Sequence, residues 1–306
     1  LSRSGEGGME LNQLDPKDLA LGSALNQRVA NPFFGIVNNG VHLSSTIARG
    51  QLLRPYPQFT NVQPLYDAGS NSIYHAWQNT FRRRFSHGFM FEGNYTWSKM
   101  IDTGDSHQNP YDVAASRALS AQDVAHRFVG SVVYDLPIGP GRALNTGDSA
   151  VSRFVLGGWQ VNGIITYQSG TPLAFSASNT SGLFAARTQP NNNGQSGQKT
   201  GPVRERLNSY FLTSPFSQPA AFTFGNLSRY LPDIRSDSTR NWDVSLFKQF
   251  QITERVRTQF RAEFFNAFNT VRFGGPNTTV TSGAFGVITS QSNAPRQIQF
   301  GLKVLF

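Results

Sequence analysis

The sequence of 306 residues lacks cysteine and long apolar runs. Without cysteine it has no disulfide framework and no thiolate metal site, which fits an oxidising compartment such as the periplasm without requiring one. No stretch reaches the roughly 18 consecutive apolar residues of a transmembrane helix. Mean hydropathy is −0.34. Aromatic residues nevertheless make up 12% of a chain that is only 38% hydrophobic, with 25 Phe among them.

The positive charge is spread too widely to indicate nucleic acid. The net charge is +9 and the pI is about 10.1, but the only dense cluster is Arg82–Arg84. Successive residues of a strand point to opposite faces, so these three cannot form one patch. A basic stripe on one face is what nucleic-acid binding requires. We therefore expect no nucleic-acid partner.

Enzyme motifs are also missing. The sequence contains no G-x-S-x-G, no complete G-x-G-x-x-G, no P-loop and no H-E-x-x-H, the patterns that place nucleophiles, phosphates or zinc. Ser120, Asp123 and His126 are triad residue types, but no nucleophile elbow or oxyanion site accompanies them. We expect Asp123 to pair with Arg127 at a rim instead, and we expect neither catalysis nor a cofactor.

Acidic residues and one histidine cluster between residues 102 and 112. Carboxylate oxygens bind cations, but the spacing of these residues matches no calcium loop. A solvated polar loop is the favoured interpretation over a cation site. The cluster consists of Asp102, Asp105, His107 and Asp112.

The last eleven residues alternate strictly between apolar and polar positions. The apolar positions are Ile298, Phe300, Leu302, Val304 and Phe306. A period of two indicates a strand with one apolar and one polar face. A strand that ends the chain on Phe resembles the C-terminal assembly signal of bacterial outer-membrane β-barrels, and we assign that role to Phe300, Leu302, Val304 and Phe306. The alternative is the closing strand of a soluble sandwich or barrel.

Six further segments repeat this alternation, which predicts about seven long antiparallel strands. They begin near residues 72, 89, 128, 159, 242 and 256. Each is long enough for the 9–11 or so residues of a tilted membrane strand. All sixteen prolines lie outside them, as a continuous sheet requires. Hydrocarbon tolerates no unpaired strand edge, so the fold class is all-β, an antiparallel transmembrane β-barrel.

The connections predict the orientation. Residues 86–88 and 251–254 form short turns on the periplasmic side, and 99–125, 169–240 and 270–294 form long outer loops. The 137–155 connection is longer than this rule predicts. Residues 1–70 lack alternation and are assigned to an extracellular loop region, with a short helix over Asp15–Leu21, and 71–306 are assigned to the barrel.

Charges follow the same alternation. Two basic residues on the lipid side, Arg83 and Lys248, lie beside periplasmic turns where they can snorkel. Apolar exceptions on the lumen side are Ile164, Phe247 and Phe265. Aromatic residues near strand ends predict interfacial girdles: Tyr95, Trp97, Tyr134, Trp159, Tyr167 and Trp242. The charged residues predicted to face the lumen are Arg82, Arg84, Glu92, Asp135, Asp243, Arg257, Arg261, Glu263 and Lys303.

Several stretches together resemble TonB-dependent outer-membrane receptors, specifically the Oar-like subgroup with a carboxypeptidase-regulatory-like N-terminal domain. Residues 261–269, 273–274 and 296–306 are similar to the end of such barrels. Further similar stretches are Gln51–Gln58, Tyr95–Lys99, Asp123–Ser131, Tyr134–Pro137 and Gly157–Gly163. No single one of these motifs is specific, but their combination is.

This resemblance implies a barrel of about 22 strands filled by a plug and energised through TonB. The chain starts at Leu1 without a signal peptide, so we expect a C-terminal fragment, an open sheet on its own. Implied partners are outer-membrane lipid and lipopolysaccharide, the barrel-assembly machinery, TonB through an N-terminal part absent here, and an unknown ligand held by loops 99–125 and 169–240. A stand-alone porin or structural barrel and a secreted soluble β-sheet adhesin are the alternatives.

Overall fold

A computed structural model describes residues 10–64, 70–104, 107–179 and 187–306. Helical segments in these ranges are short: residues 16–26, 40–43, 114–116 and 203–206 form 3₁₀ turns, 152–156 a π-turn, and α1 spans Arg49–Leu52. None of them has the length and apolarity needed to cross a membrane. The strands are β1 (Arg28–Ala30), β2 (Thr46–Ala48), β3 (Ser72–Ser86), β4 (Phe89–Asp102), β5 (Ala118–Leu119), β6 (His126–Asp135), β7 (Trp159–Gln168), β8 (Pro172–Leu173), β9 (Asn191–Asn192), β10 (Phe216–Ser217), β11 (Leu231–Arg235), β12 (Thr239–Gln251), β13 (Arg257–Phe265) and β14 (Gln297–Leu305).

One antiparallel sheet dominates the structure. Its strands pair in the order β14-β13-β12-β7-β6-β4-β3, and the two-residue β5 pairs with the outer end of β4. The strands on this path overlap the seven alternating segments, while β5, an eighth strand of the sheet, lies in a stretch predicted as loop. The sheet is open, with β3 and β14 as its edges. An open sheet is what the sequence predicts for a piece of a larger barrel.

The strands of this path are long and connected mostly to their neighbours. They contain 9 to 15 residues, against about 5–6 in typical soluble strands. β3 turns into β4 through His87 and Gly88, which have φ values of 52° and 78°. Positive φ at both central residues characterises the hairpin turn whose twist matches that of the strands. Gly88 therefore suits this position.

Three long connections leave from one end of the sheet. Residues between β4 and β6, between β7 and β12, and between β13 and β14 lie there, and together we call their described parts the outer loop layer. The opposite end carries the 87–88 turn, the short link from β12 to β13 and the 136–158 connection between β6 and β7. Apart from the 136–158 connection, this is the distribution of short and long connections that the sequence predicts, and the orientation in a membrane remains a prediction.

A compact apolar core lies within the outer loop layer, which the sequence had suggested to be polar. Phe175 and Phe211 are 1% and 0% exposed, with ring centroids 4.6 Å apart. Aromatic rings at such distances contribute packing energy beyond their buried area. The buried members of this core are Phe175, Tyr210, Phe211, Phe216, Leu227, Leu231, Ile234 and Ile288.

The N-terminal region also folds locally and contacts the outer loop layer. Its 3₁₀ segment, Pro16–Asn26, is interrupted at Gly22, whose φ of 53° is not helical, so its first part coincides with the helix predicted over Asp15–Leu21. Asp15 caps this part by accepting a hydrogen bond from the Lys17 backbone N–H. Gln13 Nε2 donates to the carbonyl oxygen of Gln108 at 2.8 Å. The assignment of 1–70 as an extracellular region remains a prediction.

Candidate functional site: the two-faced sheet and its outer cleft

The strand register places most of the predicted lipid-side residues on one continuous face, which we call the apolar face. Trp77 pairs with Trp97, Phe128 pairs with Tyr167 and lies beside Tyr95, and the alignment continues across β12 and β13 to β14. Large apolar side chains on this face are exposed: Trp77 is 59% and Phe81 66% accessible. An apolar surface this extensive, in the absence of a covering layer, indicates contact with a membrane or a partner.

Two opposed glycines shape the apolar face near the middle of the sheet. Gly93 pairs with Gly130 across β4 and β6. A Cβ at Gly93 would lie 3.0 Å from the Phe91 ring, and one at Gly130 would lie 3.2 Å from the Phe128 ring. The phenyl rings therefore cover positions that only glycine leaves free, which is a known way of protecting glycine in a sheet.

The opposite face, which we call the polar face, carries the charged residues predicted to face the lumen. Arg82 pairs with Glu92 at 2.9 Å. Gln299 donates to Glu263 at 2.9 Å, and the Arg261 guanidinium lies 4.8 Å from the centre of the Phe247 ring. Phe247, an apolar exception on this face, is therefore a packing partner of Arg261. Ile164 and Phe265 are 52% and 42% exposed.

Arg257 and Lys303 also lie on the polar face by register and are exposed. Arg84 is exposed too, but it lies in the irregular stretch between Arg83 and Ser86, where the register of β3 shifts. Arg257 lies opposite Leu305 at the periplasmic end, and Lys303 lies opposite Gln259. Their orientation agrees with a lumen position, and that role remains a prediction because the sheet is open. Successive side chains of each strand point to opposite faces, so the charged polar face and the apolar face are the two sides of a single sheet.

The predicted assembly residues occupy the apolar face of the edge strand. Phe300 is 69%, Leu302 70% and Val304 52% exposed, and Phe306 is fully exposed. Phe300 contacts Phe260 of the neighbouring strand at a ring distance of 6.0 Å. Their role as an assembly signal remains a prediction.

Lys248 differs from the expectation that it reaches water. It lies on the apolar face but is 2% exposed. Its ammonium donates to the carbonyl oxygen of Gly157 and lies 5.3 Å from the centre of the Trp159 ring. The 136–158 connection, which is longer than a typical periplasmic turn, covers this buried cation and gives it a hydrogen-bond acceptor. Arg83, the other basic residue of this face, lies 5.2 Å from the centre of the Phe89 ring.

The predicted girdle residues form two groups on the apolar face. At the outer end, Tyr95 and His126 share a hydrogen bond of 2.8 Å, and Trp242 Nε1 donates to the Tyr167 hydroxyl at 2.9 Å. At the periplasmic end, Trp159 Nε1 donates to the carbonyl oxygen of Val155 at 2.9 Å. Tyr134 lies at the same end and pairs with Phe89. Amphipathic rings at both ends of apolar strands are typical of membrane interfaces.

Two ion pairs with little exposure lie in the outer loop layer, and one of them reaches the end of β4. Asp123 is 1% exposed and pairs with Arg235 at 2.7 Å, so the predicted pairing with Arg127 is wrong. Asp102 forms a contact ion pair with Arg229, whose side chain is 6% exposed. Burial makes such pairs sensitive to the loss of one partner, because the other charge is then left without compensation.

The residues considered for a cation site and those considered for a catalytic triad do not form such sites in the described structure. Asp102 belongs to an ion pair, Asp112 accepts from the Ala115 backbone N–H, and His107 is 3% exposed. Asp105 lies outside the described residues. Within the described ranges, no group of three His, Asp or Glu side chains is close enough to hold a metal ion. The loop is therefore less solvated than expected.

The candidate triad residues are engaged elsewhere. His126 bonds to Tyr95 and Asp123 to Arg235, while Ser120 Oγ accepts from the Gln122 backbone N–H. A proton relay needs the hydroxyl, imidazole and carboxylate joined in sequence. These contacts use the same groups to fix local structure instead.

A cleft of about 640 Å³ lies between the outer loop layer and the strand ends. Six cationic side chains line it and only two carboxylates, so we call it the cationic cleft. Burial raises the pKa of the Tyr210 phenol in its wall, while Arg206 acts in the opposite direction. Sequence analysis missed this cleft because its residues are far apart in the chain. The cations are Lys199, Arg204, Arg206, Arg235, Arg240 and Arg272, and the carboxylates Asp233 and Asp237.

Long strands with one exposed apolar face, one charged face and the longest loops at one end are typical of outer-membrane sheets. A family model described as outer membrane beta barrel domain matches residues 2–299. The chain therefore belongs to the outer membrane beta barrel domain family, which points to the bacterial outer membrane as its location.

Comparison with individual proteins adds little to the family assignment. A search of curated proteins finds no match. Among solved structures, P. aeruginosa FpvA bound to a heterologous pyoverdine and iron is similar, with 12% identity and a TM-score of 0.32. The match covers 76% of this chain but only 19% of that one. A likeness this weak carries no functional conclusion.

Proposed function

We propose that this chain is a barrel segment of a TonB-dependent outer-membrane receptor, of the Oar-like subgroup, that binds and imports a ligand through its outer loops. The observation that carries the proposal is the outer loop layer. It is built around its own aromatic core, and the ion pair between Asp102 and Arg229 ties it to the outer end of β4. Loops held on a rigid scaffold are where binding residues concentrate.

The open sheet supports a role as part of a larger barrel. β3 and β14 each leave one row of backbone groups without a partner strand in the described chain. Unsatisfied backbone groups in hydrocarbon cost several kcal/mol each. Additional strands must therefore complete the sheet, and a receptor barrel provides them. The charged polar face then lines a lumen that accepts a plug.

TonB, the barrel-assembly machinery, outer-membrane lipid and lipopolysaccharide are the partners of this proposal, without enzymatic activity or a cofactor. Its test uses cells that express the full-length product of the gene, with and without an intact TonB system. The medium is profiled for compounds that the cells deplete. We expect depletion of at least one compound to require the protein, its outer loops and TonB together.

The two alternatives predict different results. A stand-alone porin would deplete small solutes without TonB and would give a stable conductance when the purified full-length protein is placed in a planar bilayer. A receptor closed by a plug gives no such conductance. A secreted β-sheet adhesin would be recovered in the soluble fraction without detergent, and that result would contradict the membrane assignment altogether.

A further inference from the structure

The cationic cleft lies on the lipid side of the sheet, although a site for an imported ligand would be expected at the lumen. His126 and Arg240 are the residues of the main sheet that line it. His126 pairs with Trp97 and Arg240 with Tyr167, so both belong to the register of the apolar face. Both are at the outer strand ends. The cleft therefore opens where the lipid-facing surface meets the outer loop layer.

Most of the positive charge in the cleft is not neutralised by the protein. Among the described residues, Arg235 is the only one of the six cations that forms an ion pair. Its partner, Asp123, is not among the residues that line the cleft. Of the two carboxylates, Asp237 accepts a hydrogen bond from the Phe273 backbone N–H at 2.9 Å. The cleft consequently holds more cationic than anionic charge and attracts anions.

Some guanidinium donors in the cleft lack an acceptor within the described chain, although Arg206 Nη1 donates to the carbonyl oxygens of Lys199 and Tyr210. Arg272 Nε and Arg206 Nε are buried and have no hydrogen-bond partner in the described structure. Arg240 donates from Nε to Ser238 Oγ at 3.3 Å, and Arg204 is exposed. Buried donors without acceptors are unfavourable. Phosphate oxygens suit them, because guanidinium groups bind phosphate through paired, charge-assisted hydrogen bonds.

An aromatic cavity of about 260 Å³ adjoins the cationic cleft. Tyr95, Phe128 and Tyr167 of the apolar face contribute to its lining. The two cavities share His126, Ser169, Ser238 and Arg240. Positive charge therefore directly borders an aromatic surface at the predicted outer interface. A molecule with a phosphate group above an apolar body matches both parts, whereas a small soluble anion would use only the cleft.

We propose that the cationic cleft binds the phosphorylated headgroup of an outer-leaflet glycolipid, with the lipid body lying along the neighbouring aromatic cavity. Basic pockets at membrane boundaries recognise anionic headgroups in this way. The inference shares the membrane orientation of the proposed function but not its transport step. A result in the depletion experiment above therefore does not decide it.

The test measures lipid binding by the full-length protein in phosphatidylcholine nanodiscs that contain a trace of fluorescent diphosphoryl lipid A. The variant carries Arg240→Gln and Arg272→Gln together. The matched control is Arg255→Gln, an exposed arginine in the link between β12 and β13 at the opposite end. We expect the double variant to bind about tenfold more weakly, because it loses charge-assisted hydrogen bonds, and the control to bind like the unmodified protein. Dephosphorylated lipid A should bind weakly to all three.

Equal binding by the double variant, or an equal loss in the Arg255→Gln control, would overturn the proposal. So would full displacement of the lipid by inorganic phosphate at comparable concentration, which would indicate a site for soluble anions. If the double variant does not assemble, a photocrosslinker on Ser238→Cys tests the otherwise unchanged protein. Lipid A should crosslink there and not at Asn145→Cys in the 136–158 connection. Absence of crosslinking at Ser238 would also refute the assignment.

Discussion

Arg235 donates a hydrogen bond from Nη2 to the buried carboxylate of Asp123 at 2.7 Å, across 112 positions of sequence. Asp123 also accepts from the Met100 backbone N–H at 2.6 Å, at the outer end of β4. Arg235 in turn donates to the carbonyl oxygen of Gly170. One ion pair thus joins three outer segments of the chain.

We expect Asp123→Asn to destabilise the outer loop layer by about 2 kcal/mol, because Arg235, whose side chain is 22% exposed, would lose a charge-assisted hydrogen bond. Arg127→Gln should have little effect, since Arg127 is exposed and Asp123 pairs elsewhere. The measurement is protease cleavage of the outer loops on intact cells, together with denaturant unfolding of the purified full-length protein. Equal effects of the two substitutions would contradict this account of the pair.

The sequence predicted the sheet much better than it predicted the outer loop layer. Apolar and polar residues alternate in segments such as 159–168 and 297–305 because successive side chains of a pleated strand point to opposite faces, and this pattern is visible in the sequence. Hydrogen bonding between neighbouring strands then fixes their register. The contact between Asp123 and Arg235 has no local signal. Arg127 was the nearer partner in sequence, but it lies on the polar face of β6.

The aromatic core of the loops escaped prediction for a related reason. Phe175, Phe211 and Phe216 are separated by long polar stretches and follow no period. Periodicity detects only residues held on a regular element. The cationic cleft is likewise formed by segments that meet only in three dimensions. The position of Lys248 near the periplasmic end of β12 could be predicted from the sequence, but its burial under the 136–158 connection could not.

Two neighbouring residues of β6 test which face contacts lipid. Val132 lies on the apolar face, and Ser131 lies on the polar face opposite Glu92. Arginine on the lipid face near the bilayer centre costs about 2–4 kcal/mol, so Val132→Arg should destabilise the barrel by this amount. Ser131→Arg should cost much less, because it gains a carboxylate neighbour. Unfolding of the full-length protein in lipid vesicles measures both, and a reversed order would mean that the faces have been assigned the wrong way round.

Removal of Phe306 separates assembly from stability. Phe306 is fully exposed, so its loss removes little packing from the folded sheet. We expect the full-length protein without Phe306 to refold in detergent as well as the unmodified protein does, but to reach the outer membrane in much lower amount. Heat-dependent gel mobility of outer-membrane fractions measures the folded population. The substitution Asn145→Ala is the control, because Asn145 is exposed and distant from the chain end. Normal insertion of the truncated protein would count against the assembly role.

The 136–158 connection should lie in the inner-leaflet interface. Val151, Phe154 and Val155 are 71%, 60% and 52% exposed, and the Phe154 ring lies 4.8 Å from that of Phe250 on the apolar face. This exposed apolar surface is thus continuous with the lipid-facing surface of the sheet. Short amphipathic segments of this kind settle about 5–10 Å into the boundary between headgroups and acyl chains.

Spin labels can measure that depth, because the chain has no native cysteine and any cysteine elsewhere in the full-length protein can be replaced. We expect a nitroxide at Val155→Cys to collide with dissolved oxygen more than with a water-soluble nickel complex. The exposed position Asn145, on the polar part of the same connection, should show the reverse. If both labels were equally accessible to the nickel complex, the connection would be a periplasmic loop. The only structural role of the connection would then be to cover Lys248.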